Sequence, residues 1–402
     1  MADKDSPVFG QSVREKEFNL EKDWNFLNTG SYGVTPKCVQ EAQQRHQFKM
    51  NSHPEKWFRR EVEPLYKEAT KEAADFVGCD SQDLVFVQNA TTGINTVLKS
   101  YPYEKEDCIL VTNATYGAIK KTCNHVGSNI TDGKAIYIEF SIPIESEDQI
   151  VEKFKRAIAE NPSIKIAVID HITSPTAMIL PVKKIAALCR ENGILSMIDG
   201  AHAPGQLDLN IEELNVDFYT GNFHKWVFTP RGCAILYINR NHHDWVKPLV
   251  TSHNYQRGPY WEFEYQGTRD DTPYTVVPHA LQFYKRMGGV SRVREYNSDL
   301  LDKGVEMLCS SFDLRRFPIP KSMEAPYMRL LILPKVPGYG TTEEDANRLF
   351  AYFAEKYNIV LLVVSVFDHL IIRLSAQIFN TMDDYNQIVD ILKDLLKKDD
   401  EK

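Results

Sequence analysis

The chain has 402 residues, of which 43% are hydrophobic and 25% are charged, and this length and composition allow a large buried core divided over two or three domains. Its formal net charge of -8 is spread along the sequence without a basic stripe, which argues against a nucleic acid or a membrane surface as the main partner. The first residues are charged, and no apolar stretch is long enough to span a bilayer, so a cytoplasmic protein is expected.

The cysteines are scattered and never spaced as CxxC. They are Cys38, Cys79, Cys108, Cys123, Cys189, Cys233 and Cys309. This pattern predicts reduced thiols and gives little support to a zinc or iron-sulfur site, so no metal is expected.

The amino-terminal residues 1–25 are polar and lack a core-forming pattern, which predicts an arm or a short helix that packs late. Next, Gly30 and Gly33 flank Ser31 and Tyr32, an arrangement that indicates a tight loop. Two helices with one apolar stripe each are predicted over 37–52 and 60–77.

A strand is predicted over 83–88 and a helix over 91–98, joined by a turn that contains Thr91, Thr92 and Gly93. The amino terminus of a helix presents free N–H groups and the positive end of its dipole, and threonine hydroxyls add further donors. The turn is therefore a candidate phosphate cradle, although threonine at such a position often serves only as a helix cap.

Strands and helices then alternate as far as Asp199. Strands are predicted over 108–112, 135–140, 165–169 and 193–199, and helices over 147–160 and 182–191. Apolar strands that alternate with helices predict an α/β fold with a largely parallel, doubly wound sheet, which binds ligands at the carboxyl ends of its strands. Residues 170–176 form one such end.

An acid and an amine stand at the ends of two consecutive strands. Asp199 closes an apolar run, and Lys225 follows the strand 216–220, which the polar pair Gly221 and Asn222 is expected to end. The intervening residues fit one strand–crossover–strand unit, so both groups should face one crevice. A lysine that can form a Schiff base and a carboxylate that keeps a pyridine nitrogen protonated are what pyridoxal 5'-phosphate needs. A solvated lysine and an ordinary ion pair are the alternatives.

The last third of the chain has a different pattern. A strand over 233–238 and a polar, aromatic segment over 253–268 are followed by helices over 275–287 and 290–309, two or three strands within 327–374, and a charged terminal helix. This pattern predicts a large domain over 26–270 and a smaller α+β domain over 271–402, which the arm 1–25 joins. Arg373 lies in an apolar strand and needs an anionic partner, either a substrate carboxylate or a structural ion pair.

Several motifs, taken in order, resemble one protein family. They are Ala90-Thr91-Thr92-Gly93-Ile94-Asn95, Asp199-Gly200-Ala201-His202, Gly221-Asn222-Phe223-His224-Lys225-Trp226 and Gly267-Thr268. They are similar to those of the class V aminotransferase superfamily of fold-type I pyridoxal phosphate enzymes. Thr173-Ser174-Pro175-Thr176 and Gly267-Thr268-Arg269-Asp270 resemble its isopenicillin N epimerase-like branch, which contains hercynylcysteine sulfoxide lyases. The resemblance runs from about residue 26 to about residue 373 and implies a large domain with a seven-stranded sheet.

The resemblance also implies a role for each motif residue. Lys225 would hold the cofactor and remove the α-proton, Asp199 would pair with the ring nitrogen, and Tyr116 would stack on the ring and transfer a proton. Ala201 would pack beneath the ring, His202 would bind the ring hydroxyl, and Thr91, Thr92 and His224 would hold the phosphate. Gly267 and Thr268 would reach the phosphate of a neighbouring subunit, which implies a homodimer with shared sites, whereas Arg269 could equally make a surface ion pair. Asn28, Ser31 and Arg373 would contact a small amino-acid substrate.

Three reactions remain open: β-elimination, epimerisation and amino transfer. A persulfide-forming desulfurase needs a cysteine in a mobile loop shortly before the carboxylate-binding arginine, and residues 357–372 contain none. Cleavage of a carbon–sulfur bond in a cysteine conjugate or cysteine sulfoxide is the preferred prediction. An epimerase, an aminotransferase and a catalytically silent binding homologue are the alternatives.

Overall fold

A seven-stranded sheet forms the centre of the structure, a computed structural model that describes residues 7–396. The strands are β1 Asn25–Phe26, β2 Leu84–Val87, β3 Cys108–Thr112, β4 Ala135–Ile138, β5 Ile164–Asp170, β6 Leu195–Asp199, β7 Phe218–Asn222, β8 Ala234–Ile238, β9 Arg315–Arg316, β10 Met328–Ile332, β11 Ile359–Val360, β12 Leu362–Val366 and β13 His369–Ser375. The order across the central sheet is β2, β8, β7, β6, β5, β3 and β4. Strands β3 to β7 pair in parallel, whereas β8 is antiparallel to both β7 and β2. The mostly parallel, doubly wound sheet predicted from the sequence is confirmed.

Helices cover both faces of this sheet. The helices are α1 Gln11–Glu17, α2 Thr29–Tyr32, α3 Lys37–Ser52, α4 Pro54–Lys56, α5 Val62–Val77, α6 Ala90–Ser100, α7 Gly117–Asn129, α8 Glu147–Glu160, α9 Val182–Glu191, α10 Ile211–Leu214, α11 Phe223–Trp226, α12 Pro259–Glu264, α13 Thr272–Thr275, α14 Val277–Arg286, α15 Gly289–Ser311, α16 Glu343–Tyr357 and α17 Met382–Leu396. Along β5, Ile166 and Val168 pack with α6 and α7, while Ala167 and Ile169 pack with α8 and α9. Because successive side chains of a strand point to opposite faces, a strand buried on both faces is apolar throughout.

A second, antiparallel sheet lies in the last third of the chain, with the strand order β12, β13, β10 and β9. It packs with α15, α16 and α17 around an apolar cluster of its own. The α+β character of this region is as predicted, but helix α16 was missed. Its buried residues Ala346, Leu349 and Phe353 recur at helical spacing among many charges, and Thr342 and Asp345 form a capping box at its start.

The amino-terminal segment is more firmly packed than the sequence suggested. The charged residues 1–6 lie outside the described part of the chain, but Val13 and Phe18 are buried in the main core. Phe18 contacts the rings of Phe283 and Phe379, with centroids 5.9 and 5.3 Å apart. The prediction that this segment lacks core-forming residues was therefore wrong, since two well-spaced apolar side chains are enough to anchor it.

The strand before Lys225 begins and ends two residues later than predicted, at Phe218 and Asn222. Gly221 and Asn222 do not interrupt β7, because they continue its antiparallel pairing with Ile235 and Ala234 of β8. A polar pair can remain in a strand when its backbone is paired and its side chain faces a cleft. The helical turn α11 then begins at once and carries Lys225.

Other features of the described residues bear on the predictions. All seven cysteines are free, as predicted. Within residues 7–396, no helix has the length and hydropathy needed to cross a bilayer, and no group of three or more metal-binding side chains is present there. The segment 253–268, which was expected to be irregular, contains helix α12.

Candidate active site

A cleft of about 640 Å³ opens at the carboxyl ends of β5, β6 and β7. Strands β6 and β7 are neighbours, so Asp199 at the end of β6 and Lys225 just after β7 both reach this cleft. Its wall is formed by Ser31, Tyr32, Gln88, Asn89, Ala90, Thr91, Tyr116, Asp170, Ile172, Ser174, Asp199, Ala201, His202, Asn222, His224, Lys225, Arg231, Gly232, Arg269, Asp270, Pro273 and Tyr274. The fold thus brings together residues that are far apart in sequence.

The amine of Lys225 is held in a weakly solvated position. Burial, together with the positive charge of Arg373, lowers the pKa of Lys225 to about 7, although Asp199 acts in the opposite direction. An amine with a pKa near 7 is about half deprotonated at neutral pH, and this neutral fraction can act as a nucleophile and a base. This property suits a lysine that must bind an aldehyde and accept a proton.

Asp199 is buried, and its Oδ1 accepts a hydrogen bond of 3.0 Å from the N–H of Ala201. Burial raises the pKa of Asp199, while the Ala201 N–H and the charge of Lys225 lower it. Asp199 therefore has both a donor and a cation that favour its charged form. A carboxylate in this position can pair with a protonated ring nitrogen.

His202 has a defined tautomer. The indole N–H of Trp226 donates to His202 Nδ1 at 3.4 Å, and Lys225 Nζ lies 3.0 Å from His202 Nε2. Burial lowers the pKa of His202 well below its usual range, so the ring is neutral and carries one proton. Because an indole can only donate, that proton is on Nε2. His202 thus presents an N–H donor to the cleft beside Lys225.

The end of the cleft near α6 carries hydrogen-bond donors. Thr91 lines the cleft in the first turn of α6, where a helix has N–H groups without intrahelical partners. The hydroxyl of Thr92 donates to Asn89 Oδ1 at 3.1 Å, and Thr92 is not among the residues that line the cleft. His224 Nδ1 donates to the carbonyl of Cys233 at 3.0 Å, and burial lowers the pKa of His224 to about 4. A phosphate dianion beside His224 would favour its protonated, donating form.

Arg373 is buried and has no carboxylate partner among the described residues. Its guanidinium donates to the carbonyl of Ser174, to Asn28 Oδ1 at 2.9 Å and to Ser31 Oγ at 3.4 Å. Its Nε is buried without a partner, and burial lowers the pKa of Arg373 to about 10. Within residues 7–396 the structural ion pair is therefore excluded, and the unused donor favours an incoming anion.

The remaining residues named from the sequence differ in whether they line the cleft. Tyr116 is half-exposed at the start of α7 and lines the cleft, so it is not a core residue. Gly267 and Thr268 do not line the cleft of their own chain. Arg269 does line it, and its Nε donates to Asp271 at 2.6 Å in a largely buried pair, not a surface pair.

Sequence reasoning missed two side chains of the site. Asn222 accepts a hydrogen bond of 2.9 Å from the N–H of Ala90 and so ties α6 to the end of β7. Asp170 lines the cleft beside Asp199. Each lies at a strand end, a position that is informative in the sequence, but their contacts depend on strand register and on helix packing.

The donors of the cleft fit pyridoxal 5'-phosphate. The partly buried amine of Lys225 can bind the aldehyde of the cofactor. The carboxylate of Asp199 can pair with the pyridine nitrogen, and the N–H of His202 can donate to the ring hydroxyl. The first turn of α6 matches a phosphate. Arg373, with its unpartnered Nε, matches a carboxylate next to the cofactor.

Comparison with known proteins agrees with this donor set. The family model described as Aminotransferase class-V matches residues 26–325. A probable chloroplastic L-cysteine desulfhydrase of Arabidopsis thaliana is 27% identical over 95% of this chain and 85% of its own length. A hercynylcysteine sulfoxide lyase of Schizosaccharomyces pombe is 27% identical, covering 96% of this chain and 98% of that protein. An isopenicillin N epimerase of Streptomyces clavuligerus is 27% identical, covering 91% and 93%.

Solved structures share the fold. The apo cysteine desulfurase of Thermococcus onnurineus NA1 superposes with a TM-score of 0.80 at 18% identity, covering 98% of this chain and 99% of that chain. The cystine C-S lyase C-DES, in complex with its reaction product cysteine persulfide, superposes with a TM-score of 0.78 at 19% identity, covering 93% and 98%. The chain belongs to the class-V aminotransferase family, and pyridoxal phosphate is the cofactor that its donor set fits.

Proposed function

We propose that this protein is a pyridoxal phosphate-dependent enzyme that acts on an amino acid and cleaves a carbon–sulfur bond by β-elimination from a cysteine, a cysteine conjugate or a cysteine sulfoxide. The main support is one cleft that unites the amine of Lys225, the carboxylate of Asp199 and the approach to Arg373, yet is lined by no thiol among the described residues. The named desulfhydrase and sulfoxide lyase relatives support the same reaction class.

Different residues would bind the substrate, accept the α-proton and protonate the leaving group. Arg373 and Asn28 would bind the substrate carboxylate and so fix the α-carbon above Lys225. Lys225 Nζ would accept the α-proton, since its pKa of about 7 suits a general base. When bound, pyridoxal phosphate supplies the electron sink that stabilises the carbanion. Tyr116, which lines the cleft, would donate a proton to the departing sulfur group.

The absence of a thiol from the cleft wall distinguishes this proposal from a persulfide-forming desulfurase. Such an enzyme keeps the sulfur on a cysteine, whereas Cys108, Cys123, Cys189 and Cys233 are all buried in the described core. Sulfur would therefore leave this site as a small molecule.

Epimerisation is the second candidate. It requires a second proton donor on the other face of the substrate, and the half-exposed phenol of Tyr116 could fill that role. The similarity to isopenicillin N epimerase favours this alternative. Amino transfer and a silent binding homologue are further outcomes of the test below.

The test is incubation of the purified protein with L-cysteine, a cysteine S-conjugate and a cysteine sulfoxide. We expect pyruvate and ammonia. Loss of optical activity alone would identify an epimerase, and a keto acid together with a spectrally altered cofactor would identify an aminotransferase.

Lys225→Ala should abolish both turnover and the visible absorbance of the lysine-bound cofactor. Lys184→Ala removes a surface lysine paired with Asp148 and should change neither. If Lys225→Ala retained absorbance and turnover, the site assignment would be wrong.

Further features follow from the same proposal. We place the large domain at 26–270 and the small one at 271–402. A separate apolar cluster supports this division, since all its buried members except Leu27 lie between Leu300 and Leu395. Helix α14 bridges the two domains through its packing on α3 and α5. In a homodimer, Gly267 and Thr268 would contact the cofactor of the partner subunit, which agrees with the position of both residues outside the cleft of their own chain.

The seven free cysteines support a reducing cytoplasmic compartment.

A further inference from the structure

Two carboxyl groups stand side by side on the floor of the cleft. Asp170 ends β5 and Asp199 ends β6, and the two residues are register partners in the parallel pair. Backbones of paired strands lie about 4.8 Å apart, so side chains that leave them on the same side are in close reach. Both residues line the cleft and both are buried. The roles described so far use only Asp199.

The surroundings of Asp170 suit a neutral carboxyl group. Its Oδ2 accepts a hydrogen bond of 2.5 Å from the hydroxyl of Thr115, which in turn lies 3.0 Å from the hydroxyl of Thr112. Within residues 7–396, no lysine, arginine or histidine forms a salt bridge with Asp170. Besides the Thr115 hydroxyl, only the backbone N–H of Asp170 itself donates to this carboxyl group. A buried, ionised carboxylate with these two donors, no salt bridge and a second carboxylate beside it would be strongly unfavourable.

The other titratable groups around the pair do not change this balance. Lys120 favours the charged form of Asp170, but it is the smallest of the influences on this carboxyl group. Lys225 acts on Asp199, and the buried thiol of Cys123 faces both acids as a neutral group. The ring of His171 bonds Tyr219, with 2.8 Å between Nδ1 and the phenol oxygen, and burial lowers the pKa of His171 to about 4. At Asp170, burial and the charge of Asp199 outweigh the Thr115 hydroxyl, the backbone N–H of Asp170 itself and Lys120. At Asp199, the cation Lys225 and the N–H of Ala201 favour the charged form.

We propose that Asp170 is a positioning residue that stays protonated at neutral pH and donates a hydrogen bond to the carboxylate of Asp199. The pair then carries one negative charge, located on Asp199 and directed at the ring nitrogen, and the Thr112–Thr115 hydroxyl chain orients the Asp170 carboxyl group. The hydrogen bond to Asp199 holds that carboxylate in one orientation. This inference rests on the proposed cofactor site for its role, but not for the protonation of Asp170.

The charge balance supports this assignment. Burial and the neighbouring Asp199 raise the pKa of Asp170 well above its usual range. In the unfolded chain the same group ionises at about pH 4. The folded state therefore binds more protons than the unfolded state above that pH. Stability is lost as the pH rises from about 4 towards the folded pKa.

The first test is infrared spectroscopy of the full-length protein near pH 7, with and without pyridoxal phosphate. We expect a band from a protonated carboxylic acid in the wild type, and its loss in Asp170→Asn. Asp208→Asn is the matched control, because Asp208 is an exposed carboxylate whose pKa Arg294 lowers, so its removal should leave the band. Thr115→Val should keep the band but shift its frequency, since it removes one hydrogen bond to the carboxyl. Absence of the band from the wild type would overturn the proposal.

The second test compares cofactor binding and stability. Asp170→Asn keeps a hydrogen-bond donor, so its affinity for pyridoxal phosphate should stay within about threefold of the wild type, whereas Asp170→Ala should bind about tenfold more weakly. The wild type should lose stability relative to Asp170→Asn as the pH rises from 5 to 8, as measured by urea unfolding. A wild type and Asp170→Asn with parallel pH profiles would contradict the proposal. If no variant bound the cofactor but the band persisted, only the proposed function would fail.

Discussion

At the scale of single residues, the indole of Trp226 determines which ring nitrogen of His202 carries the proton. A neutral histidine has one donor and one acceptor, and the Trp226 N–H occupies the acceptor at Nδ1. The remaining N–H of His202 is directed at Lys225, and it can serve the ring hydroxyl of a bound cofactor. A residue that does not line the cleft thus determines a hydrogen bond inside it.

Replacement of Trp226 by phenylalanine tests this dependence. Trp226→Phe removes the donor but keeps an aromatic ring against Tyr327, whose ring centroid is 5.5 Å away. His202 can then place its proton on either nitrogen, and we expect pyridoxal phosphate to bind about fivefold more weakly, from the loss of about 1 kcal/mol. Equilibrium binding followed by absorbance would measure the change.

Trp57 provides a matched control for this substitution. It is also fully buried, but its indole N–H has no hydrogen-bond partner among residues 7–396. Trp57→Phe should therefore lower stability by a comparable packing cost while leaving cofactor affinity unchanged. Equal losses of affinity in the two variants would show that packing, not the tautomer of His202, is responsible.

Some residues of the candidate site could be predicted from the sequence, and others could not. Lys225, Asp199 and Arg373 could be predicted because each stands at a recognisable strand end or in an apolar strand. Asp170 stands at an equivalent end, yet its pairing with Asp199 follows from the register of β5 and β6, which no local pattern specifies. The assignment of Thr92 to the phosphate stays a prediction; in the structure Asn89 Oδ1 caps α6 by accepting the N–H of Thr92 and also accepts its hydroxyl.

At the scale of elements, the packing of α6 on β7 sets the position of the phosphate end of the cleft. A β-carbon added at Gly93 would lie 2.6 Å from Thr220 Oγ1 and 3.1 Å from Thr220 Cβ. Thr220 cannot easily move, because its hydroxyl donates to the carbonyl of Ile235 at 2.8 Å. Gly93 thus allows the helix to approach the strand closely.

We expect Gly93→Ala to displace the first turn of α6. Overpacking of this kind costs about 1–3 kcal/mol of stability, and movement of Thr91 should weaken pyridoxal phosphate binding as well. Urea unfolding and cofactor titration would measure the two effects. Gly117→Ala is the control, because a β-carbon there meets no atom within 4 Å and alanine favours a helix; it should be neutral or slightly stabilising. Wild-type behaviour of Gly93→Ala would mean that α6 adjusts freely.

The boundaries of helices could be predicted where a clear apolar stripe marked the helix. Helices α3, α8 and α9 begin and end where the apolar stripes indicated. The end of β7 was misplaced because the pairing of Gly221 and Asn222 with β8 is a tertiary contact. Helix α16 was missed because its region had been assigned to strands, although the apolar residues recur at helical spacing.

At the scale of the whole molecule, the proposed dimer would complete each active site. Gly267 and Thr268 lie outside the cleft of their own chain, and Gly267 has a left-handed backbone with no atom near the place of a β-carbon. The exposed side chains of Tyr32 and Tyr255 leave apolar surface that a second copy could cover. From the sequence, a dimer with shared active sites could be predicted only through the family resemblance, because no local residue pattern specifies which surface a second subunit covers.

Mixing two inactive variants tests the shared site. Lys225→Ala lacks the essential amine, and Thr268→Asp would place a carboxylate against the partner's phosphate, so each homodimer should be inactive. After subunit exchange, half of the dimers are mixed, and one of their two sites carries neither change. We therefore expect about a quarter of wild-type activity in an equal mixture. Lys225→Ala mixed with Lys225→Ala,Thr268→Asp is the control and should stay inactive, because every site then lacks the amine. If the first mixture also stayed inactive although mixed dimers had formed, Thr268 would act in its own chain, whereas an active Thr268→Asp homodimer would show that Thr268 has no role in the site.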